Sequence, residues 1–147
     1  MADRDLDFLG SNFALEIDGA PIAFFTGCSG LSATTEVVEE KVVDKTGKLV
    51  MRKRPGRTSY DDIVLKRGAS ADKTLTDWHN SIIAGTVPVP RKNGAIVLYD
   101  DALTELGRWS FENGWISKWS GGDLSADSDD VMIEEVTITH ELLTRVK

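Results

Sequence analysis

The sequence is poor in the groups that build chemical sites. Its 147 residues include 1 cysteine and 2 histidines. Cys28 has no partner for an internal disulfide, which is consistent with a reducing compartment. His79 and His140 have no second ligand at metal-site spacing, and neither stands in a catalytic motif. We therefore expect no metal, no cofactor and no catalytic residue, and we predict that the chain is not an enzyme.

Long apolar runs are also lacking. No stretch approaches the roughly 18 residues of a transmembrane helix, so we expect no stable membrane insertion. The first ten residues carry acids where a signal peptide has a basic region followed by an apolar one. We therefore expect a chain made in the cytoplasm, with residues 1–10 as a mobile leader.

Positive charge is scarce overall but concentrated in one segment. The formal net charge is −7 and the isoelectric point is about 4.8, which disfavours nucleic-acid binding. Between Lys41 and Arg57, however, a single acid, Asp44, interrupts a run of basic residues. An acidic protein with one basic arm is complementary to other copies of itself, so we predict a self-assembling subunit. The alternative is a solvated hairpin with no partner.

The segment around this arm is predicted to form two strands without a core. Leu31 to Val43 is rich in Thr and Val, and neither alternate set of side chains is cleanly apolar. A turn at Asp44–Gly47 returns the chain through Lys48 to Arg54, and Pro55-Gly56 is expected to end the arm. Such a strand pair makes sense if another subunit covers it.

Alternating apolar residues predict further strands on both sides of the arm. Phe13, Leu15 and Ile17 alternate with polar residues before an Asp18-Gly19 turn, which indicates a hairpin with one buried face. Further strands are predicted at 58–67, at 95–99 buried on both faces after an Asn93-Gly94 turn, at 106–119 and at 131–143. In the last of these strands the apolar residues switch from odd to even positions, which indicates a β-bulge near Glu134-Glu135.

One helix is predicted, over residues 71–84. Ser70 is a suitable N-cap, and Gly85 is a suitable stop. Core and helix-packing roles are assigned to Leu75, Trp78, Ile82, Trp109 and Phe111.

Two groups of residues are candidates for contacts with other copies. The basic hairpin group comprises Lys41, Val43, Lys45, Lys48, Val50, Arg52, Lys53 and Arg54. An acidic group could complement it or line a lumen, and comprises Glu39, Glu40, Asp61, Asp62, Asp127 and Asp129. Cys28-Ser29-Gly30 lacks the frame of a nucleophile elbow, so we interpret it as a packed turn.

In chain order, these segments resemble the tail-tube (inner tube) protein family of contractile phage tails and extracellular contractile injection systems. The resemblance is carried by Phe13–Gly19, Cys28–Leu31, Arg54–Gly56, Ile63–Gly68, Trp78, Ile96–Asp100, Trp109–Phe111 and the closing residues Val131, Ile133, Glu134 and Leu142. One departure is the hairpin tip, where Asp44-Lys45-Thr46-Gly47 stands in place of the family's frequent paired glycines.

The resemblance implies a single domain, 1–147, that is mainly β. It implies an antiparallel sandwich or barrel with one flanking helix and a protruding inter-ring hairpin at about 34–54. Such subunits form hexameric rings that stack into a hollow tube inside a contractile sheath. Contraction drives the tube through a target envelope to deliver its cargo.

The partners implied by the resemblance are further copies, sheath protein, baseplate or hub and terminator proteins, and a lumenal cargo of protein or DNA. The particle stays in the cytoplasm or is released. Two alternatives remain. One is a tube-initiator or baseplate-hub protein of the same machine, and the other is a small-ligand-binding β-barrel.

Overall fold

The computed structural model describes residues 13–68, 73–121 and 133–147. These residues are mainly β, with ten strands and one helix. In chain order they are β1 (Phe13–Ile17), β2 (Ala20–Phe25), β3 (Gly27–Ser29), β4 (Ala33–Val43), β5 (Leu49–Tyr60), β6 (Ile63–Gly68), α1 (Thr74–Ile83), β7 (Lys92–Tyr99), β8 (Glu105–Ser120), β9 (Ile133–Thr139) and β10 (Leu142–Arg145).

The strands form two antiparallel sheets of very different size. The main sheet has the order β2-β1-β7-β8-β9-β6-β3, and β10 pairs with β8. Strands β4 and β5 form a separate sheet of two. The predicted mainly β fold with a flanking helix and a long hairpin is confirmed.

One continuous segment supplies both end strands of the main sheet. Only Thr26 separates β2 from β3, although the two strands stand at opposite ends of the strand order. The backbone N–H of Thr26 donates to the carbonyl oxygen of Lys66 at 2.9 Å, and its hydroxyl donates to the same oxygen at 3.2 Å. The sheet therefore curves back on itself between its ends.

The core lies inside this curved sheet and beneath the helix. Large side chains that are at most 1% exposed come from six strands, and Leu75 and Trp78 of α1 pack with them. The indole N–H of Trp78 donates to the carbonyl oxygen of Pro90 at 2.8 Å, which satisfies its one polar atom. The strand residues are Leu15, Phe25, Ile63, Leu65, Ile96, Phe111, Ile116, Val136 and Ile138.

Strands β1 and β7 are buried on both faces. Ala14, Ala95 and Val97 form a second buried cluster on the face opposite the main core. Glu16 on the same face is only 7% exposed. The prediction of two-sided burial for 95–99 is confirmed at 95–97, and 98–99 are half-buried. The single buried face predicted for the first hairpin is confirmed in β2, where Ala23 and Phe25 are buried and Phe24 is exposed, and is wrong for β1. An ion pair with Arg108 lets Glu16 be covered.

Two predicted turns are continuous strand in the structure. Asn93-Gly94 lies inside β7, because Gly94 packs so closely on β1 and Phe111 that a side chain would clash. Pro55-Gly56 lies inside β5, which continues to Tyr60. The single strand predicted at 58–67 is therefore wrong, since Asp61-Asp62 separates β5 from β6.

The helix and the last strands differ from prediction in their boundaries. Gly85 follows α1 with φ +72°, as predicted for a stop, whereas Ser70 and Ala71 lie outside the described residues. The register shift falls in β8, between Ile116 and Lys118, and not at Glu134-Glu135. The long final strand is broken into β9 and β10.

Candidate assembly interface

The long hairpin, residues 33–60, pairs only with itself among the described strands. Its register runs from Ala33 opposite Tyr60 to Val43 opposite Leu49, with one irregularity between Thr35 and Val37. No residue of β4 or β5 is buried. An isolated two-stranded hairpin is only marginally stable in water, so these strands lack the burial that holds the rest of the fold.

The two faces of the long hairpin differ in the exposure of their apolar side chains. One face, which we name the apolar face, carries four exposed apolar side chains: Val37, Val43, Leu49 and Met51, exposed by 63%, 65%, 60% and 50%. The charged side chains of Glu39, Lys41 and Lys53 lie between them on this same face. The opposite face carries Glu40, Arg52 and Arg54 beside the half-buried Val42 and Val50. Val43 and Val50, which the sequence analysis grouped together, therefore lie on opposite faces.

The charges of the long hairpin partly neutralise one another. Lys53 Nζ lies 3.9 Å from Glu39 Oε1, and Arg54 Nε lies 3.1 Å from Glu40 Oε1. Both pairs are well exposed, so each is worth little in water. The hairpin segment holds 7 basic and 4 acidic side chains, a net charge of +3, and the rest of the chain holds 10 and 20, a net charge of −10.

The hairpin tip is a defined turn built on Asp44. Its Oδ1 accepts hydrogen bonds from the hydroxyl of Thr46 at 2.7 Å, and from the backbone N–H groups of Thr46 and Lys48, both at 2.9 Å. The bond from the Thr46 hydroxyl is the main reason that the pKa of Asp44 lies below its usual value. Gly47 has φ +81°, which a non-glycine residue rarely adopts. One aspartate and one glycine thus define the turn at the hairpin tip.

The root of the long hairpin, which we define as residues 31–32 and 60–62, rests on the body. The hydroxyl of Ser32 donates to Asp61 Oδ2 at 2.5 Å, which ties the two sides of the root together. The carbonyl oxygen of Asp61 lies 3.0 Å from Nε2 of His140. Gly30, at φ +85°, packs against the backbone of Asp62, so any side chain there would clash.

The acidic candidates do not form one surface among the described residues. Glu39 and Glu40 are paired within the long hairpin, while Asp61 and Asp62 are exposed at its root. Asp127 and Asp129 lie outside the described residues. Their lumenal or complementary role remains a prediction.

The packing candidates lie in three environments. Leu75 and Phe111 are at most 1% exposed and Trp78 is 5% exposed. Ile82 is half-buried at the end of α1. Trp109 is half-buried outside the main core, where the guanidinium carbon of Arg145 lies 5.2 Å from its ring centre.

Three ion pairs in the body, formed around Arg67 and Arg108, had no signal in the sequence pattern. Arg67 Nε lies 2.9 Å from Glu134 Oε2, with both side chains 7% exposed, and the indole N–H of Trp119 donates to Glu134 Oε1 at 2.7 Å. Arg108 donates to both oxygens of Glu16, at 3.0 and 2.9 Å, and also to Glu105. These bonds raise the pKa of Arg108 and, with Arg108 as the main cause, lower that of Glu105.

The described residues offer little for chemistry. They contain no group of three or more potential metal ligands. Burial raises the pKa of the Cys28 thiol to about 11, which keeps it protonated and unreactive near neutral pH. A groove of about 300 Å³ is lined by Glu16, Asn93 and Glu112 among other residues. No helix in this part of the chain is long and apolar enough to cross a bilayer.

The described residues thus combine a curved sheet around one core with a long hairpin that has no buried residue. The sequence profile of the T4-like virus tail tube protein gp19 matches residues 10–144. The chain therefore belongs to this tail tube family and is a structural component of a phage tail or phage-tail-like contractile system.

Solved structures agree with this assignment. One is a chain of the PVC sheath-tube complex of an extracellular contractile injection system, in the extended state. The two chains are 26% identical, the match covers 92% of the present chain and 88% of the other, and the TM-score is 0.73. A chain of the PVC sheath/tube terminator structure is 27% identical over 92% and 94%, again with a TM-score of 0.73. Hcp1 from Flavobacterium johnsoniae, 16% identical with a TM-score of 0.53, shares the fold. No curated protein sequence matches the chain.

Proposed function

We propose that this chain is the repeating subunit of the inner tube, and that copies close into hexameric rings which stack through the long hairpin. The observation that carries the proposal is the apolar face. It presents four large side chains, each at least half exposed, on strands that contribute nothing to the subunit's own core. Exposed apolar side chains grouped with polar neighbours mark protein contacts.

A neighbouring copy is the partner that this surface fits. The hairpin segment is net positive and the remainder of the chain is net negative, so two copies attract when the hairpin of one meets the body of the other. Such head-to-tail contacts between different patches of identical subunits generate rings when they close and filaments when they do not.

The contact is proposed to be mainly apolar. Lys53 and Arg54, two of the basic residues expected to bind a neighbour, already have partners within the hairpin. The charge difference then favours encounter and orientation, while burial of the apolar face supplies most of the affinity.

The wider assembly follows from the family and from similar structures. One similar structure is a sheath-tube complex, so we propose that a contractile sheath surrounds the tube formed by this chain. Baseplate or hub and terminator proteins are proposed at its ends, with protein or DNA as cargo in its lumen. In this proposal the chain is made in the cytoplasm and has a geometric role rather than a catalytic one.

A position at the end of the tube is a second candidate. It is favoured by the 27% identity to a chain in a sheath/tube terminator structure, of which 94% is covered. A terminal ring would cap a tube without polymerising by itself, so self-assembly distinguishes the two roles.

The test is electron microscopy and light scattering of the purified protein and two matched variants. Leu49→Ser removes an apolar side chain near the tip, and Lys48→Ser removes the adjacent positive charge. We expect hollow tubes from the unmodified chain, loss of tubes in Leu49→Ser, and tubes in Lys48→Ser that form more slowly at low salt.

Opposite behaviour of the two variants would contradict the apolar contact. If Lys48→Ser abolishes tubes and Leu49→Ser does not, the contact between rings is electrostatic. If deletion of Val43 to Met51 leaves normal tubes, the long hairpin is not the stacking element.

A further inference from the structure

His140 connects the root of the long hairpin to the core. It lies between β9 and β10, and its ring centre is 5.8 Å from that of Tyr60 and 6.2 Å from that of Phe111. Tyr60 is the last residue of β5, while Phe111 is a fully buried core residue. One imidazole ring therefore contacts both regions.

The hydrogen bonding of His140 is incomplete. A carbonyl oxygen can only accept, so Nε2 carries the proton and donates to the Asp61 oxygen at 3.0 Å. Nδ1 is buried with no hydrogen-bond partner among the described residues. A buried polar atom without a partner lowers stability, so a phenylalanine ring would suit this position better for packing alone.

Apolar packing of Leu31 against the main core also attaches the hairpin root to the body. The bonds between Ser32 and Asp61 join the two sides of the root to each other and not to the body. Within the described residues, the bond from His140 to Asp61 is the side-chain hydrogen bond that joins root and body. The long hairpin spans eleven and twelve residues in its two strands, so a small rotation at the root moves its tip a long way.

We propose that His140 is a positioning residue that sets the direction of the long hairpin relative to the body. It does so through the bond to Asp61 and through ring contacts with Tyr60 and Phe111. The role of His140 in assembly rests on the proposed function, in which the hairpin reaches a neighbouring copy. Its effect on hairpin direction is a property of the single subunit.

Two variants separate the contributions of His140. His140→Phe keeps a ring of similar size and removes the donor, whereas His140→Gln keeps an N–H donor and removes the ring. Spin labels at Lys45→Cys on the tip and Lys118→Cys on β8, in a Cys28→Ser background, report the tip-to-body distance by pulsed electron resonance.

We expect a narrow distance distribution for His140, a broad or displaced one for His140→Phe, and partial recovery in His140→Gln. The melting temperature of His140→Phe should equal or exceed that of the unmodified subunit, since an unpartnered nitrogen is removed. The critical concentration for tube formation should rise about fivefold, the equilibrium factor of one ordinary hydrogen bond.

Unchanged distances in both variants would overturn the positioning role. Broadened distances with normal tube formation would instead support the positioning role and contradict the proposed stacking function of the hairpin. The spin-label distance therefore tests the positioning role of His140, and tube formation tests the proposed stacking function of the hairpin.

Discussion

The body and the long hairpin are two strand-rich regions that use opposite physical strategies. In the body, an ion pair such as Arg67–Glu134 is 93% covered and apolar side chains are fully buried. In the hairpin, the paired side chains are 43–67% exposed, and Val37 and Val43 face water. The body buries its own core, whereas the apolar side chains of the hairpin are not buried within the subunit.

Truncation of one apolar side chain in each region is expected to give the largest difference in the free energy of unfolding. Phe111→Ala should lower the free energy of unfolding of the subunit by about 3–5 kcal/mol, because a buried aromatic leaves a cavity. Met51→Ala should change it by less than about 0.5 kcal/mol. Denaturant unfolding of unassembled subunits measures both. A large loss for Met51→Ala would mean that the hairpin packs on its own body.

The next largest difference in stability is expected between breaking an ion pair in the body and breaking one in the hairpin. Glu134→Ala leaves Arg67 buried without this carboxylate and removes the partner of the Trp119 indole, so we expect a loss of about 3 kcal/mol. Glu39→Ala breaks an exposed contact of 3.9 Å, for which about 0–1 kcal/mol is expected. Thermal unfolding of both variants tests the comparison, and equal losses would contradict it.

The smallest of the expected effects is a loss of order at the hairpin tip at acidic pH. The pKa of Asp44 is lowered by its hydrogen bonds, so the ionised carboxylate orders the tip above the ordinary Asp value of 3.8. This order should be lost as pH falls through the lowered pKa, without melting of the body. Amide exchange at Thr46 and Lys48 measures it. Asp44→Ala should show weak protection at every pH, and equal protection in that variant would refute the role of the carboxylate.

Local signals in the sequence predicted the regular parts of this comparison. Alternation and turn residues located β1, β2 and the Asp44–Gly47 turn, and helical spacing located the buried face of α1. The failures arose where tertiary contacts override local preference. Gly94 is a strand residue because β1 and Phe111 leave no room for a side chain, and Pro55 is tolerated because β5 is not inside a larger sheet.

The candidate interface was predictable in position but not in detail. The coreless strands and the run of basic residues identified the hairpin from sequence alone. The apolar face depends on the pairing register and on the irregularity after Thr35, neither of which the sequence pattern shows. His140 lies 79 residues from Asp61 in the chain, so its contact with the root had no local signal.

The Thr26 segment has a mechanical consequence for the body. Because β2 and β3 are chain neighbours at opposite ends of the strand order, a force that peels one end strand is transmitted by the backbone to the other. Load on either end strand is thus passed directly to the other end strand. The body should open as one cooperative unit, while separation of the two strands of the long hairpin should leave the sheet closed.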